Sequence, residues 1–271
     1  MGRFDGKRII GLVGGLVFKK GRNGKTIIQS GGREVKQTKA SKIASAIFAK
    51  ASTLSKAIRT DLSVLINGFY DGPMVNRLNK QNREILEQCY NKATKQYAFN
   101  EDSFSRLAGF EFNASSPLSK SLWVEPELTL TGNQLTLSLP AMEINEQLKF
   151  PSPCNRCEIT VAVAFYNLEK GVHKDIVFQV LEVNTAQGLV PAKDFTFEVP
   201  DGCLCVIGIK LGYSTLKDNV KIIKNNKEFN PAGLCGAVIT PGEFVLTPGV
   251  VVPHGKLASV WKTVDKLRLL S

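Results

Sequence analysis

"EITVAVAFYNLE", residues 158–169, decides the fold. Ile, Thr, Val, Phe and Tyr dominate it and no Gly or Pro interrupts it, which marks a strand. Similar runs follow at "DIVFQVLEV" (175–183), "DFTFEVP" (194–200) and "CVIGIKLGY" (205–213), then "GAVITP" and the closing "LASVWKTVDKLRLL". Ahead of them, "ELTLTGNQLTLSLP" alternates apolar and polar residues on either side of Gly132-Asn133, which reads as a hairpin. Short strands punctuated by Gly, Pro, Asn and Asp, with no helices between them, predict an antiparallel β-sandwich of the immunoglobulin or fibronectin kind.

Upstream of residue 104 the period changes. Ile43, Ile47, Ala51, Leu54 and Ile58 recur every three or four residues and predict one helix. "NGFYDGP" (67–73) breaks the chain. A second helix is expected from Met74 to Ala98, carrying Leu78, Ile85, Leu86, Cys89 and Ala93 on its apolar side, and the two helices are expected to pair antiparallel. The expected fold class is α+β: an N-terminal β-hairpin and a helical hairpin over residues 1–103, then the sandwich over 104–271.

"FKKGRNGKTIIQSGG" (18–32) has the vocabulary of a phosphate-binding loop. Such a loop needs Gly five positions before its Gly-Lys-Thr, and that position is Lys19. It must also open a helix, whereas "KTIIQS" is β-branched and stops at Gly31-Gly32. Asn23-Gly24 instead suits a tight hairpin turn, so the stretch is expected to be a β-hairpin with a basic tip.

Basic residues continue past that tip. Residues 1–60 hold 14 Lys and Arg against Asp5 and Glu34, a local net of +12, which leaves the other 211 residues at −1 within a total of +11. A solvated face normally mixes signs. Lys19, Lys20, Arg22, Lys25, Arg33, Lys36, Lys39 and Lys42 are therefore the candidate assembly or phosphate contacts. Lys39, Lys42 and Lys50 fall on one flank of the first expected helix. Phe4 and Phe18 are the only aromatics among the first 40 residues, too few for a stacking platform.

The opening "RIIGLVGGLVF" is apolar but is cut by Gly11, Gly14 and Gly15 and runs into Lys19-Lys20, unlike a signal peptide or a span of ~20 residues. A location in the cytoplasm, or inside a particle assembled there, is expected. Six cysteines in 271 residues do not make a disulfide framework. Cys154 and Cys157 form a C-x-x-C before one strand, and Cys203 and Cys205 a C-x-C at the start of another. Were these strands neighbours with both pairs at one end, the four thiolates would suit a structural zinc ion; the plainer reading is four small buried side chains. Cys89 and Cys235 read as core. His173 and His254 stand in turn-like sequence, outside any nucleophile or metal-ligand signature, and no enzymatic activity is expected.

A glycine-rich start, a basic hairpin ending near "IIQSGGREVKQT", a small-residue helix and a sandwich with "VAFYNLEK" and "FTFEVPDGCLCVIGIKLGYST" resemble protein families common in Bacteroidota, one of them a domain of unknown function. The resemblance implies this architecture and no activity. The leading expectation is a non-enzymatic, self-associating structural protein, such as a subunit of a filament, shell or virion-like particle, with itself as partner and no membrane. The alternatives are a nucleic-acid-binding protein contacting phosphates through residues 1–60, and a protein-interaction module with a structural zinc site.

Overall fold

Residues 2–21, 24–31, 37–246, 250–252, 256–258 and 261–269 are described by a computed structural model. The chain divides into two compact units, Met1–Ser45 and Ala46–Ser271, and the division falls inside the first helix.

The first unit opens with an antiparallel meander of four strands in sequence order: β1 (Arg3–Phe4), β2 (Ile9–Val13), β3 (Leu16–Lys20) and β4 (Thr26–Ser30). The expected basic hairpin is β3–β4, with Gly24 at φ 71°; Arg22 and Asn23 of its tip lie outside the described residues. The opening apolar run is itself a second hairpin. Gly14, at φ 60°, turns the chain so that Val13 pairs with Leu16, and Gly14-Gly15 are its turn, while Gly11 lies within β2 opposite Phe18. Helix α1 (Lys39–Asp61) starts after Thr38, whose hydroxyl accepts from the Ser41 amide at 3.2 Å.

In the second unit, α1 buries Ile47, Ala51, Leu54 and Ile58 as expected; Ile43, in the first unit, is only half-buried. A short helix α2 (Ser63–Ile66) and helix α3 (Met74–Cys89) follow. Asn82 on α3 donates to the Ser55 hydroxyl on α1 at 2.9 Å, both buried. The second helix ends at Cys89, nine residues before Ala98. There the Asn91 side chain accepts from the amides of Ala93 and Thr94, and Lys95 takes φ 61°. This local turn turns "YNKATKQY" into the small hairpin of β5 (Tyr90–Asn91) and β6 (Gln96–Tyr97).

The strands after residue 126 are β7 (Glu127–Thr131), β8 (Gln134–Leu139), β9 (Met142–Glu143), β10 (Arg156–Asn167), β11 (Val172–Asn184), β12 (Leu189–Val190), β13 (Lys193–Glu198), β14 (Leu204–Lys217), β15 (Val220–Ile223), β16 (Ala232–Ile239), β17 (Val250–Val252), β18 (Lys256–Ala258) and β19 (Lys262–Thr263). The largest sheet runs β15-β14-β10-β11-β19, with β16 also on β14, and every pairing in it is antiparallel. A second antiparallel sheet runs β13-β8-β7, turning at Gly132 (φ 57°) where the hairpin was expected. Leu135, Leu137, Leu139, Phe195 and Phe197 of this sheet share one core with Ile159, Val161 and Val163 of β10 and Ile207, Ile209 and Leu211 of β14. Its outward positions form three polar rows: Glu127, Ser138 and Asp194; Thr129, Thr136 and Thr196; Thr131, Gln134 and Glu198.

From Ile159 to Asn167, β10 is buried on both faces, which is why "VAVAFY" reads as a continuous apolar run without alternation. The second face lies under the helices. Lys210 on β14 donates from Nζ to the Val64 carbonyl of α2 at 2.8 Å, and burial lowers the lysine pKa. A Cβ on Gly208 would stand 2.8 Å from Leu65 Cδ1 and 2.9 Å from the Gly233 carbonyl oxygen. Gly208→Val should accordingly lose about 1–3 kcal/mol by overpacking, measured as a lower denaturant midpoint.

Candidate functional site

The pairing register sorts β2, β3 and β4 into two faces, because side chains of opposed residues share a side. Val13, Leu16, Phe18, Lys20, Thr26, Ile28 and Ser30 fall on one face. Phe4 is 68% exposed and Ile28 58%, and Ile9, Val13 and Leu16 are exposed as well. The other face carries Leu12, Val17, Lys19, Ile27 and Gln29, with Leu12 and Ile27 exposed, while β1 pairs only with Ile9 and Ile10, ahead of Gly11 at φ 104°. Sequence reasoning missed the exposed apolar strands because it treated the opening stretch as one interrupted run. The signal was present in "LVGGLV", two apolar runs astride a Gly-Gly turn.

Lys19, Lys20 and Lys25 cluster at the tip end of β3 and β4, and all three are exposed. Lys39 and Lys42 are exposed on the first turn of α1. Lys50 departs from the basic flank: its ammonium sits 4.9 Å from the Tyr97 ring centroid and donates to the Leu269 carbonyl at 3.4 Å, and burial lowers its pKa. Arg22, Arg33 and Lys36 lie outside the described residues, as does His254.

A second surface is an unpaired strand edge. Among the described residues, β11 is paired beyond β10 only by β19, at Val172 and His173, and nothing pairs its outer side from Lys174 to Asn184. A register shift between Val163 and Phe165 of β10 resets the strand near Asp175 and Ile176. Beyond it Val177, Gln179 and Leu181 oppose core-facing Val163, Val161 and Ile159, while Phe178, Val180 and Glu182 take the other side. Phe178 is 54% exposed and Val180 47%. "IVFQVL" (176–181) carries none of the charges or prolines that blunt a free edge.

The four cysteines do not converge as expected. Cys157 opposes Tyr213 and Cys205 opposes Phe165 on the same strand β10, eight positions apart, or roughly 26 Å at ~3.3 Å per residue. The two strands are indeed neighbours, but they run antiparallel, so a pair before the start of each stands at opposite ends of the sheet. Burial pushes the Cys203 thiol up to about 12 and raises those of Cys154, Cys157 and Cys205. These four groups are held as neutral thiols in the core, not as poised thiolates. Cys235, half-buried, is also pushed up to about 12 by burial.

His173 is not the turn histidine expected; it sits in β11 with its Nδ1 2.8 Å from Asp61 Oδ2. The fully buried Tyr166 faces the same carboxylate, and burial followed by the Asp61 charge holds its phenol protonated. The histidine and tyrosine rings stack with centroids 6.4 Å apart. This cluster ties the end of α1 to β10 and β11. No helix among the described residues is long and apolar enough to cross a membrane. Comparison with protein-family models, curated proteins and solved structures yields no match to this chain.

Proposed function

We propose that the protein is a non-enzymatic, self-assembling structural subunit in which the N-terminal unit is the assembly arm. The observation that carries this reading is the set of exposed apolar side chains Phe4, Ile9, Leu12, Val13, Leu16, Ile27 and Ile28 on a four-stranded sheet. Burying side chains of this size contributes ~1.5–3 kcal/mol each, against ~0.2–1 kcal/mol for an exposed ion pair. Apolar contact therefore outweighs the basic tip as the source of affinity. The body behind the arm we read as an immunoglobulin-like sandwich, supported by the core that its two antiparallel sheets share. The location that goes with this reading is the cytoplasm or a particle assembled there.

Light scattering coupled to size exclusion tests it, with nuclease-treated and untreated samples at low and high salt. Wild-type protein should form a large species that survives nuclease and salt. Val13→Glu with Ile28→Glu should reduce it to monomer without changing the unfolding of the remainder. The exposed lysines at positions 19, 20, 25, 39 and 42 favour one other reading, contact with nucleic acid phosphates. A monomer that sheds bound nucleic acid as salt rises would support that reading and sink self-assembly.

A further inference from the structure

The two exposed features belong to different units, yet they are complementary. β4 is the outer strand of its sheet, and all five of its residues are exposed. The free stretch of β11 is apolar and ends at Glu182, whose side chain is 71% exposed and lies 3.9 Å from Arg156 Nη1, at a distance that leaves its carboxylate open to a second cation. The geometry points to β4 of one copy pairing antiparallel with the free edge of β11 in a second copy, Lys25 opposite Glu182. This acceptor edge is an inference that rests on the self-assembly reading and names its contact.

Pairing Lys25 with Glu182 places Ile27 opposite Val180, Ile28 opposite Gln179 and Gln29 opposite Phe178. Two independent conditions are met at once. The basic tip lands on a carboxylate, an opposite-charge cross-strand pair. The face that carries Val13, Leu16, Phe18 and Ile28 falls on the same side of the extended sheet as Gln179 and Leu181, the core side. A slip of one residue reverses both, turning that face away from the core side and Lys25 away from Glu182. A β11 edge meeting its own copy leaves the exposed apolar side chains of the arm uncovered. Strand addition supplies main-chain hydrogen bonds along the edge, and alternate side chains set the register.

Mixing two single variants tests the register directly. Under mild oxidation, Ile27→Cys protein mixed with Val180→Cys protein should give a covalent dimer containing one chain of each. Ile28→Cys mixed with Val180→Cys should not, because those side chains point to opposite sides. Glu182→Lys should weaken assembly about threefold to fivefold, in line with an exposed ion pair, and adding Lys25→Glu to it should restore the loss. Persistent assembly with no cross-link between the position-27 and position-180 variants, or equal cross-linking from position 28, overturns the β4–β11 contact and leaves self-assembly standing. A wild-type protein that is monomeric at every concentration overturns both. A cross-link confined within single chains carrying both Ile27→Cys and Val180→Cys overturns the second copy as occupant.

Discussion

Asp61→Ala is expected to destabilise the second unit by about 1–3 kcal/mol, the cost of leaving a buried polar group without its hydrogen-bond partner. The Asp61 and His173 side chains are only 10% and 16% exposed, and Tyr166 is completely buried against the same carboxylate. Alanine leaves His173 Nδ1 without its partner and opens a gap between α1 and two strands. Asp61→Asn retains an oxygen that can accept from Nδ1–H, so it should lose markedly less. Chemical denaturation distinguishes the two, since the midpoint falls at unchanged slope if only stability is affected. Equal losses from alanine and asparagine would mean that charge alone, and not the accepting oxygen, holds the cluster.

The second large effect lies at Asn225. Its Oδ1 accepts from the Tyr213 amide at 2.7 Å, and its Nδ2 donates to the Leu211 carbonyl at 2.8 Å and to Asn230 Oδ1 at 2.9 Å. Asn230 in turn donates to the Leu65 and Ile66 carbonyls at 3.3 Å each, which links the end of α2 to β14 through two buried amides. Asn225→Asp replaces a donor by a carboxylate oxygen facing two acceptors, and about 3 kcal/mol or more should be lost. Burial among acceptors raises the folded-state pKa of this new carboxyl above its unfolded value of ~3.9. Protonated Asp can donate again, so the deficit relative to wild type should be smallest below that value and should grow as pH rises through the folded pKa. Asn225→Leu, which has nothing to titrate, should show a deficit independent of pH.

The strands of the central sheet were legible because their chemistry is local. "VAVAFY" and "CVIGIK" are β-branched and aromatic, and burial on both faces makes them continuous apolar runs. Gly132-Asn133 marked its own hairpin for the same reason. β15 escaped because its turn, Asp218-Asn219, takes positive φ of 50° and 63° without a glycine, although both residue types tolerate that region. The overshoot of the second helix to Ala98 came from following helix-compatible residues past Asn91, where side-chain capping of the turn wins locally. Other misses are matters of direction and tertiary contact. Two adjacent strands may run either way, and only the antiparallel register tells that Cys157 and Cys205 stand far apart. Nothing near His173 in sequence announces Asp61, 112 residues earlier. Of the surfaces that the proposed assembly uses, the basic tip was visible in charge alone, whereas the exposed apolar strands needed the pairing of the meander and the free edge needed the order of a whole sheet.

The outward rows of the β13-β8-β7 sheet bear on the dimensionality of growth. Thr136 and Thr196 hydroxyls lie 3.3 Å apart in the middle row, with Glu127 and Asp194 in the row on one side and Glu198 in the row on the other. Hydroxyls and carboxylates of this kind keep their water, and two such faces brought together repel. In the proposed strand contact each chain offers one donor edge and one acceptor edge, so units add head to tail and the rotation between them either closes a ring or leaves an open thread. On that proposal, lateral stacking through the hydrated face is disfavoured, and raising the protein concentration should lengthen an open assembly without thickening it, its mass per unit length staying that of a single file.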